Sequence, residues 1–177
     1  MVDFTSALYL GQQTLSASFP PHLSITTGKP AALYEPRLHQ MVAKEVACKQ
    51  GLESGLLAPS TLHVFWDIVA SLGRSNAVLM DEAMYPVGRW GVLLAAFRGV
   101  PVASFPANDA EQLARLIHMH RQQNRTPWLV TDSWNVAQGK PAPLGMYLEL
   151  LKSCKESVLL VDDTQAFGIL GQNPNAR

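Results

Sequence analysis

The sequence has little cysteine and no long hydrophobic run. Its two cysteines, Cys48 and Cys154, lie far apart and form no CxxC pair, so a disulfide framework is not predicted and a reducing compartment is expected. No apolar run approaches the roughly 20 residues that a membrane span requires. The N-terminus carries Asp3 and no basic segment, unlike a signal peptide. These features favour a cytoplasmic protein without a membrane partner.

An excess of charge of either sign is also missing. Fourteen Lys and Arg residues balance fourteen Asp and Glu residues, which argues against nucleic acid as a partner because such binders carry a basic face. With so little net charge, repulsion between copies is weak and self-association is expected. No glycine-rich Walker motif and no metal-spaced Cys/His set is present. His118 and His120 are two residues apart on a predicted helix and point in different directions, so no metal site is predicted.

The composition that remains is typical of a globular protein, with 47% hydrophobic and 16% charged residues. Residues 1–36 are rich in Ser, Thr, Pro and Gly, which predicts an N-terminal arm with loops. The next stretch, "PRLHQMVAKEVACKQG", has apolar residues at helical spacing and ends at Gly51, which predicts a helix. We therefore expect a folded domain over residues 37–177.

Beyond this helix, strand and helix patterns alternate. Strands are predicted near residues 56–58, 77–81, 100–105, 127–131 and 157–162. This alternation is typical of βαβ units and predicts an α/β fold, a mostly parallel sheet with helices on both faces. Ligands in such folds bind at the carboxyl ends of the strands, so the residues at those ends are the candidates for function.

The first two candidate positions are a helix start and an aromatic residue. Ser60 and Thr61 in "APSTLHVF" precede a predicted helix, whose free N–H groups and dipole favour a phosphate. The same residue types also serve as ordinary helix caps. Tyr85 follows a strand in "LMDEAMYP" and could stack on a flat ligand or simply pack over the sheet.

The other two candidates are acids at strand ends. Asp132 follows Thr131 in "WLVTDSW" and could also be a plain loop or capping acid. Asp162 follows the apolar run "VLLV", where a carboxylate is costly unless a cation or hydrogen-bond donors meet it. A protonated heterocycle nitrogen is one such cation, and a structural turn is the alternative. Because its strand is apolar on both faces, we expect it to be central and Asp162 to lie deepest.

Five segments, taken in order, resemble one enzyme family. They are "HQMVAKEVACKQG", "PST", "DEAMYPVGRWG", "VTDSWNVAQGKPAPL" and "VDDTQAFGILG". Together they resemble the N-terminal part of fold-type-I pyridoxal-phosphate (PLP) enzymes of the class I/II aminotransferase superfamily, in particular the α-oxoamine synthase branch. The resemblance extends from about residue 39 to residue 171.

The resemblance implies a PLP site formed by Ser60, Thr61, Leu62, Tyr85, Asp132, Asp162 and Gln165. Asp162 would hold the pyridinium nitrogen, and its charge would keep that nitrogen protonated. Tyr85 would stack on the ring, and the turn at residues 60–62 would bind the phosphate. Asp132 would lie near the ring. Gln165 stands where the family has a His that reaches the phenolic oxygen; its amide can donate this hydrogen bond but cannot titrate.

The function implied is that of a homodimeric PLP-dependent transferase, which condenses an amino acid with an acyl donor such as an acyl-CoA. The sequence departs from the family at Tyr85 and Gln165, where His is usual, and at Val136, where Ser is usual. These departures favour an alternative, a non-catalytic homologue of the fold that acts as a binding or interaction protein. Retention of Asp162 opposes that alternative.

The family's Schiff-base lysine lies a few tens of residues beyond the strand that carries the Asp, whereas the sequence ends at Arg177. We therefore expect residues 37–177 to be a partial PLP-binding domain, truncated before that lysine and inactive alone. Lys152 and Lys155, the nearest lysines, are expected to be solvated on a helix.

Overall fold

A computed structural model of the protein describes residues 35–171. These residues divide into two compact units, one ending at Leu57 and the other beginning at Ala58. The first unit contains helix α1 (Arg37–Lys49), as its apolar spacing predicts. The predicted arm over residues 1–36 lies almost entirely outside the described residues and stays a prediction.

The second unit alternates strands and helices. In chain order its elements are α2 (Thr61–Ala70), β1 (Asn76–Asp81), α3 (Pro86–Phe97), β2 (Val102–Phe105), α4 (Ala110–Gln122), β3 (Thr126–Asp132), β4 (Trp134–Asn135), β5 (Lys140–Pro141), α5 (Leu144–Lys152) and β6 (Val158–Asp162). Four strands form a parallel sheet in the order β2-β1-β3-β6, and β4 and β5 form a small antiparallel pair. The predicted α/β fold with a mostly parallel sheet is confirmed.

One predicted strand is wrong. Residues 56–58 do not form a strand, and the side chain of Leu56 is 80% exposed. They lie at the boundary of the two units and pair with no strand among the described residues. The apolar run "LLA" between Gly55 and Pro59 satisfies the local strand pattern but cannot supply the hydrogen-bonded neighbour that a strand requires.

Helices cover both faces of the sheet. Alternate strand residues point to opposite sides, so that Val78 and Val130 pack with α2 and α3, whereas Leu79 and Leu129 pack with α4 and α5. The sheet is therefore covered by apolar side chains on both sides. All four parallel strands run the same way, so their carboxyl ends meet at one edge of the sheet.

In the part of the chain that the structure describes, no helix is both long enough and apolar enough to cross a lipid bilayer.

Candidate functional site

A cleft of about 190 Å³ lies at the carboxyl edge of the sheet. It is lined by Thr61, Tyr85, Val87, Asp132, Val136, Asp162, Thr164 and Gln165. These residues come from the starts of α2 and α3, from the last residues of β3 and β6, from the turn after β4 and from the loop after β6. The topology therefore gathers side chains that lie up to about a hundred residues apart in the sequence.

Five predicted site residues share this cleft, namely Thr61, Tyr85, Asp132, Asp162 and Gln165. The parallel arrangement explains this, because every strand delivers its following loop to the same edge. Their roles toward a ligand stay a prediction.

Two predicted residues do not line the cleft. Ser60 is the N-cap of α2: its Oγ accepts the His63 backbone N–H at 3.4 Å and lies 2.7 Å from the His63 ring Nδ1. Leu62 is half-buried on α2. Thr61 is thus the residue of the predicted phosphate turn, residues 60–62, that lines the cleft.

Asp132 is the most buried polar residue of the cleft, with 9% of its surface exposed. Its Oδ2 accepts the backbone N–H of Tyr85 at 2.8 Å. Its Oδ1 is buried and has no hydrogen-bond partner among the described residues. One half of this carboxyl group is thus anchored to the start of α3, and the other half is not satisfied.

The pKa of Asp132 is raised from 3.8 to about 6. Burial is the largest cause because it penalises the charged carboxylate, and the negative charges of Asp162 and Asp81 add to it. The hydrogen bond from the Tyr85 N–H and the positive charge of Arg89 oppose this shift.

Asp162 lies beside Asp132, because the two are register partners in the parallel pairing of β3 and β6. Its Oδ1 accepts the backbone N–H of Thr164 at 3.0 Å and also the Thr164 hydroxyl. The turn after β6 is therefore built on Asp162 itself. Adjacent strands lie about 4.8 Å apart, so two carboxyl groups stand side by side on one face of the sheet.

The expectation that Asp162 lies deepest is wrong. Asp162 is half-buried, and Asp132 is the buried member of the pair. In the described part of the sheet β6 forms an edge, and all of its residues are half-buried. Its continuous apolar run does suggest a central strand, but strand order is set by pairing and not by composition.

Tyr85 and Gln165 form the exposed rim of the cleft. The side chain of Tyr85 is 57% exposed although it is aromatic. It stands directly before α3, which starts with Pro86. Gln165 is exposed in the turn that follows β6. An exposed aromatic ring beside two carboxyl groups is suited to covering a flat ligand.

Asp81, which was not among the predicted site residues, ends β1 on the opposite face of the sheet. It is buried, its Oδ1 accepts the Ala83 N–H at 2.8 Å, and its Oδ2 accepts the Thr131 hydroxyl at 3.2 Å. The signal was available, since an acid ends this strand as Asp132 and Asp162 end theirs. It was also missed that Val87 and Thr164 line the cleft. Among the described residues, no group of three or more His, Cys, Asp or Glu side chains is placed to hold a metal ion.

No protein-family model matches the sequence. Curated relatives are nonetheless found: the chain is 32% identical over 136 residues to the 8-amino-7-oxononanoate synthase of Trichlorobacter lovleyi, a match that covers 76% of this chain and 34% of the relative. It is also 32% identical over 137 residues to the enzyme of the same name from Geobacter sulfurreducens, covering 77% of this chain and 34% of that enzyme. The chain thus spans about a third of the length of these relatives.

Solved structures share the fold. The serine palmitoyltransferase of Sphingomonas wittichii matches with a TM-score of 0.71 at 16% identity, over 85% of this chain and 37% of that one. The 8-amino-7-oxononanoate synthase of Francisella tularensis matches with a TM-score of 0.63 at 17% identity, over 80% and 39%. A third match, the serine palmitoyltransferase of S. paucimobilis with a bound PLP–myriocin adduct, has a TM-score of 0.70 at 17% identity, over 85% and 38%.

Proposed function

We propose that this chain is part of a PLP-dependent transferase. The proposal rests on its resemblance, in sequence and fold, to the α-oxoamine synthases of the PLP-dependent aminotransferase superfamily. Its substrates would be an amino acid and an acyl donor, in keeping with the names of the relatives. The chain would contribute a share of the cofactor site rather than the whole active site. One observation supports this most strongly, the paired carboxyl groups of Asp132 and Asp162.

Two neighbouring carboxyl groups favour a cationic ligand. Asp132 and Asp162 are register partners on adjacent strands and line one cleft. No lysine or arginine is among the residues that line the cleft. A protonated heteroaromatic nitrogen would supply the missing positive charge, and the buried, unpartnered Oδ1 of Asp132 is a further acceptor nearby. The residues present therefore suit the pyridinium ring of PLP.

Four residues of the cleft have a direct role in this proposal. Asp162 would accept the pyridinium N–H and keep that proton in place, and Tyr85 would cover the ring face. Thr61, with the N–H groups at the start of α2 and the capping Ser60, would bind the phosphate. Gln165 would donate its amide N–H to the phenolic oxygen. PLP, when bound, supplies an electron sink for the carbanion at the amino acid's Cα.

The chain's own residues would bind and orient PLP but would not attach it covalently. Lys152 lies on α5, where it pairs with Glu149, and its side chain is 68% exposed. Neither Lys152 nor Lys155 lines the cleft. Binding to this chain is therefore expected to be reversible.

A non-catalytic binding protein is the second candidate. Asp162 already accepts two hydrogen bonds from Thr164, so it has a structural role that does not require a ligand. Val136, Tyr85 and Gln165 line the cleft in place of the family's polar or titratable residues. PLP binding that depends on Asp162 favours the transferase, and PLP binding that does not depend on Asp162, or no PLP binding, favours the binding protein.

Titration with PLP tests the proposed site. PLP should quench tryptophan fluorescence in a saturable way, and dialysis should restore the signal. Asp162→Asn should weaken binding roughly tenfold, since a charge-assisted hydrogen bond contributes about 1.5–3 kcal/mol. Asp67→Asn, an exposed acid on α2 outside the cleft, is the matched control and should bind like the wild type. Equal binding by all three proteins, or fixation of PLP to Lys152 by borohydride, would contradict the proposal.

We further propose that the protein is a cytoplasmic homodimer. The zero formal net charge supports self-association, because repulsion between copies is weak. Light scattering coupled to size exclusion should give twice the mass of the chain at micromolar concentration. A constant monomer mass would rule out the dimer.

A further inference from the structure

The peptide group between Met84 and Tyr85 is held from both sides. The Arg89 Nε–H donates to the Met84 carbonyl oxygen at 2.9 Å, and the Tyr85 N–H donates to Asp132 Oδ2 at 2.8 Å. The Met84 carbonyl and the Tyr85 N–H belong to one planar unit. Two charged side chains, one on α3 and one at the end of β3, therefore fix the orientation of a single peptide group. We call this arrangement the peptide clamp.

The position of Arg89 is unfavourable for helix stability alone. It lies in the first turn of α3, which begins at Pro86. Positive side chains are destabilising there because the helix N-terminus carries the positive end of the dipole. The hydrogen bond to the Met84 carbonyl oxygen offsets this repulsion. It directs the Arg89 side chain away from the helix, toward the residues that precede α3. The arginine thus acts on the entry to α3 more than on α3 itself.

The clamp controls the residue that forms the rim of the cleft. Tyr85 follows the clamped peptide directly, and Pro86 fixes the backbone after it. With the backbone held on both sides, the Tyr85 ring has little freedom besides rotation about its own side-chain bonds. The ring is 57% exposed, so packing contributes little to its position and the backbone has to provide it.

The charge on Asp132 depends on groups from three elements. Its pKa of about 6 is raised mainly by burial, the Tyr85 N–H opposes that, and the negative charges of Asp162 on β6 and Asp81 on β1 add to the rise. Arg89 on α3 lowers it. Protonation near pH 6 would remove the negative charge that attracts both the Tyr85 N–H and the Arg89 guanidinium.

We propose that Arg89 and Asp132 are positioning residues, whose hydrogen bonds to the Met84–Tyr85 peptide hold the Tyr85 ring over the cleft. The expected consequence of the clamp, tighter PLP binding, rests on the proposed function. The clamp itself is a property of the unliganded protein. Protonation of Asp132 loosens the clamp, so the affinity for PLP falls as the pH drops through about 6.

NMR of the unliganded protein tests the clamp without PLP. The Tyr85 amide resonance should shift with pH with a midpoint near 6, since its acceptor titrates there. Asp132→Asn keeps an acceptor oxygen but should abolish this shift. Arg89→Met should move the midpoint to higher pH, because the cation that lowers the Asp132 pKa is gone. Arg98→Met, at the other end of α3, should leave the midpoint unchanged.

PLP binding tests the consequence. Arg89→Met should raise the Kd for PLP roughly threefold to tenfold, because Arg89 does not contact PLP and only part of the free energy of its hydrogen bond would reach the ligand, and Arg98→Met should not. In Asp132→Asn, the fall in affinity between pH 7 and pH 5 should be smaller than in the wild type, and the remainder should be the part due to the phosphate of PLP, whose second pKa is also about 6. A Tyr85 amide that does not titrate, or a midpoint unaffected by Arg89→Met, overturns the clamp. A normal clamp titration in a protein that fails to bind PLP overturns the proposed function instead.

Discussion

Asp132 shows how one buried carboxyl group can oppose stability at neutral pH. Its pKa is raised from 3.8 to about 6, so between these two values the folded state holds a proton that the unfolded state has lost. The stability that Asp132 contributes is therefore fully present below pH 3.8. It is lost as the pH rises from there through about 6. The difference between the two pKa values corresponds to a loss of up to about 3 kcal/mol in the free energy of unfolding.

Asp132→Asn should therefore stabilise the protein at pH 8 relative to the wild type, and should do so much less at pH 4. The amide cannot be forced to ionise in a buried place, and its oxygen can still accept the Tyr85 N–H. Urea unfolding of both proteins at several pH values measures the difference between them, in which all other titrating groups cancel. A difference that stays constant between pH 4 and pH 8 would contradict the raised pKa.

Tyr147 is a second buried polar residue, and its hydroxyl interacts with the carboxyl group of Asp81 and the backbone of Asn108. Its pKa is raised to about 12, mainly by burial and also by the negative charge of Asp81, whereas the hydrogen bond with the Asn108 backbone opposes the shift. Its ring makes an edge-to-face contact with Phe105, with centroids 5.8 Å apart. Both the ring and the hydroxyl of this side chain therefore have partners.

Tyr147→Phe should destabilise by about 0.5–1.5 kcal/mol, because it keeps the ring and removes the hydroxyl that interacts with Asp81 and Asn108. Tyr147→Leu, which removes the aromatic contact as well, should destabilise further. Denaturant midpoints of the three proteins measure both losses. A Tyr147→Phe variant as stable as the wild type would show that the hydroxyl contributes nothing to stability.

At the scale of elements, the contact between α2 and α3 depends on a glycine. A Cβ added at Gly91 would lie 2.5 Å from the Cβ of Phe65, closer than two carbon atoms can approach. Gly91 therefore lets the two helices pack closely on one face of the sheet. Gly145 in α5 has open space around its Cβ position.

These two helical glycines make a matched test. Gly145→Ala should stabilise the protein by up to about 0.5 kcal/mol, because Gly145 is the second residue of α5 and receives only part of the gain in helix propensity that an interior position would. Gly91→Ala should destabilise by roughly 1–3 kcal/mol, because the overpacking outweighs that gain. Thermal or urea unfolding measures both. Stabilisation by Gly91→Ala would show that α2 and α3 can separate at little cost.

At the scale of the whole molecule, β6 is an exposed strand edge within the described residues. Its apolar residues are only half-buried, and the backbone groups on its outer side face no paired strand. Such edges pair readily with other chains. We expect association beyond any discrete dimer as the concentration rises.

Val161→Lys should reduce this association, because lysine on an edge strand blocks pairing. The concentration at which light scattering increases should rise several-fold, in line with the usual protection by edge charges. Leu148→Lys adds the same charge on the exposed surface of α5 and is the control for net charge. If both substitutions act equally, repulsion and not the strand edge is responsible.

The sequence by itself determined the class of fold and the positions of the chemistry. Alternation of strand and helix patterns is a local property, and four of the five predicted strands exist near their predicted places. Polar residues after apolar strands are equally local, and parallel connection brings them to one edge, so Thr61, Tyr85, Asp132, Asp162 and Gln165 could be predicted to share a cleft.

Only the tertiary structure decided strand order, depth and hydrogen-bond partners. The run at 157–162 reads as a central strand, yet β6 lies at the edge of the described sheet, and Asp132 is the deeper acid. The clamp of Arg89 and Asp132 on one peptide group joins residues 43 positions apart. Burial and strand pairing depend on which elements become neighbours in space. A local sequence pattern does not specify which element that neighbour will be.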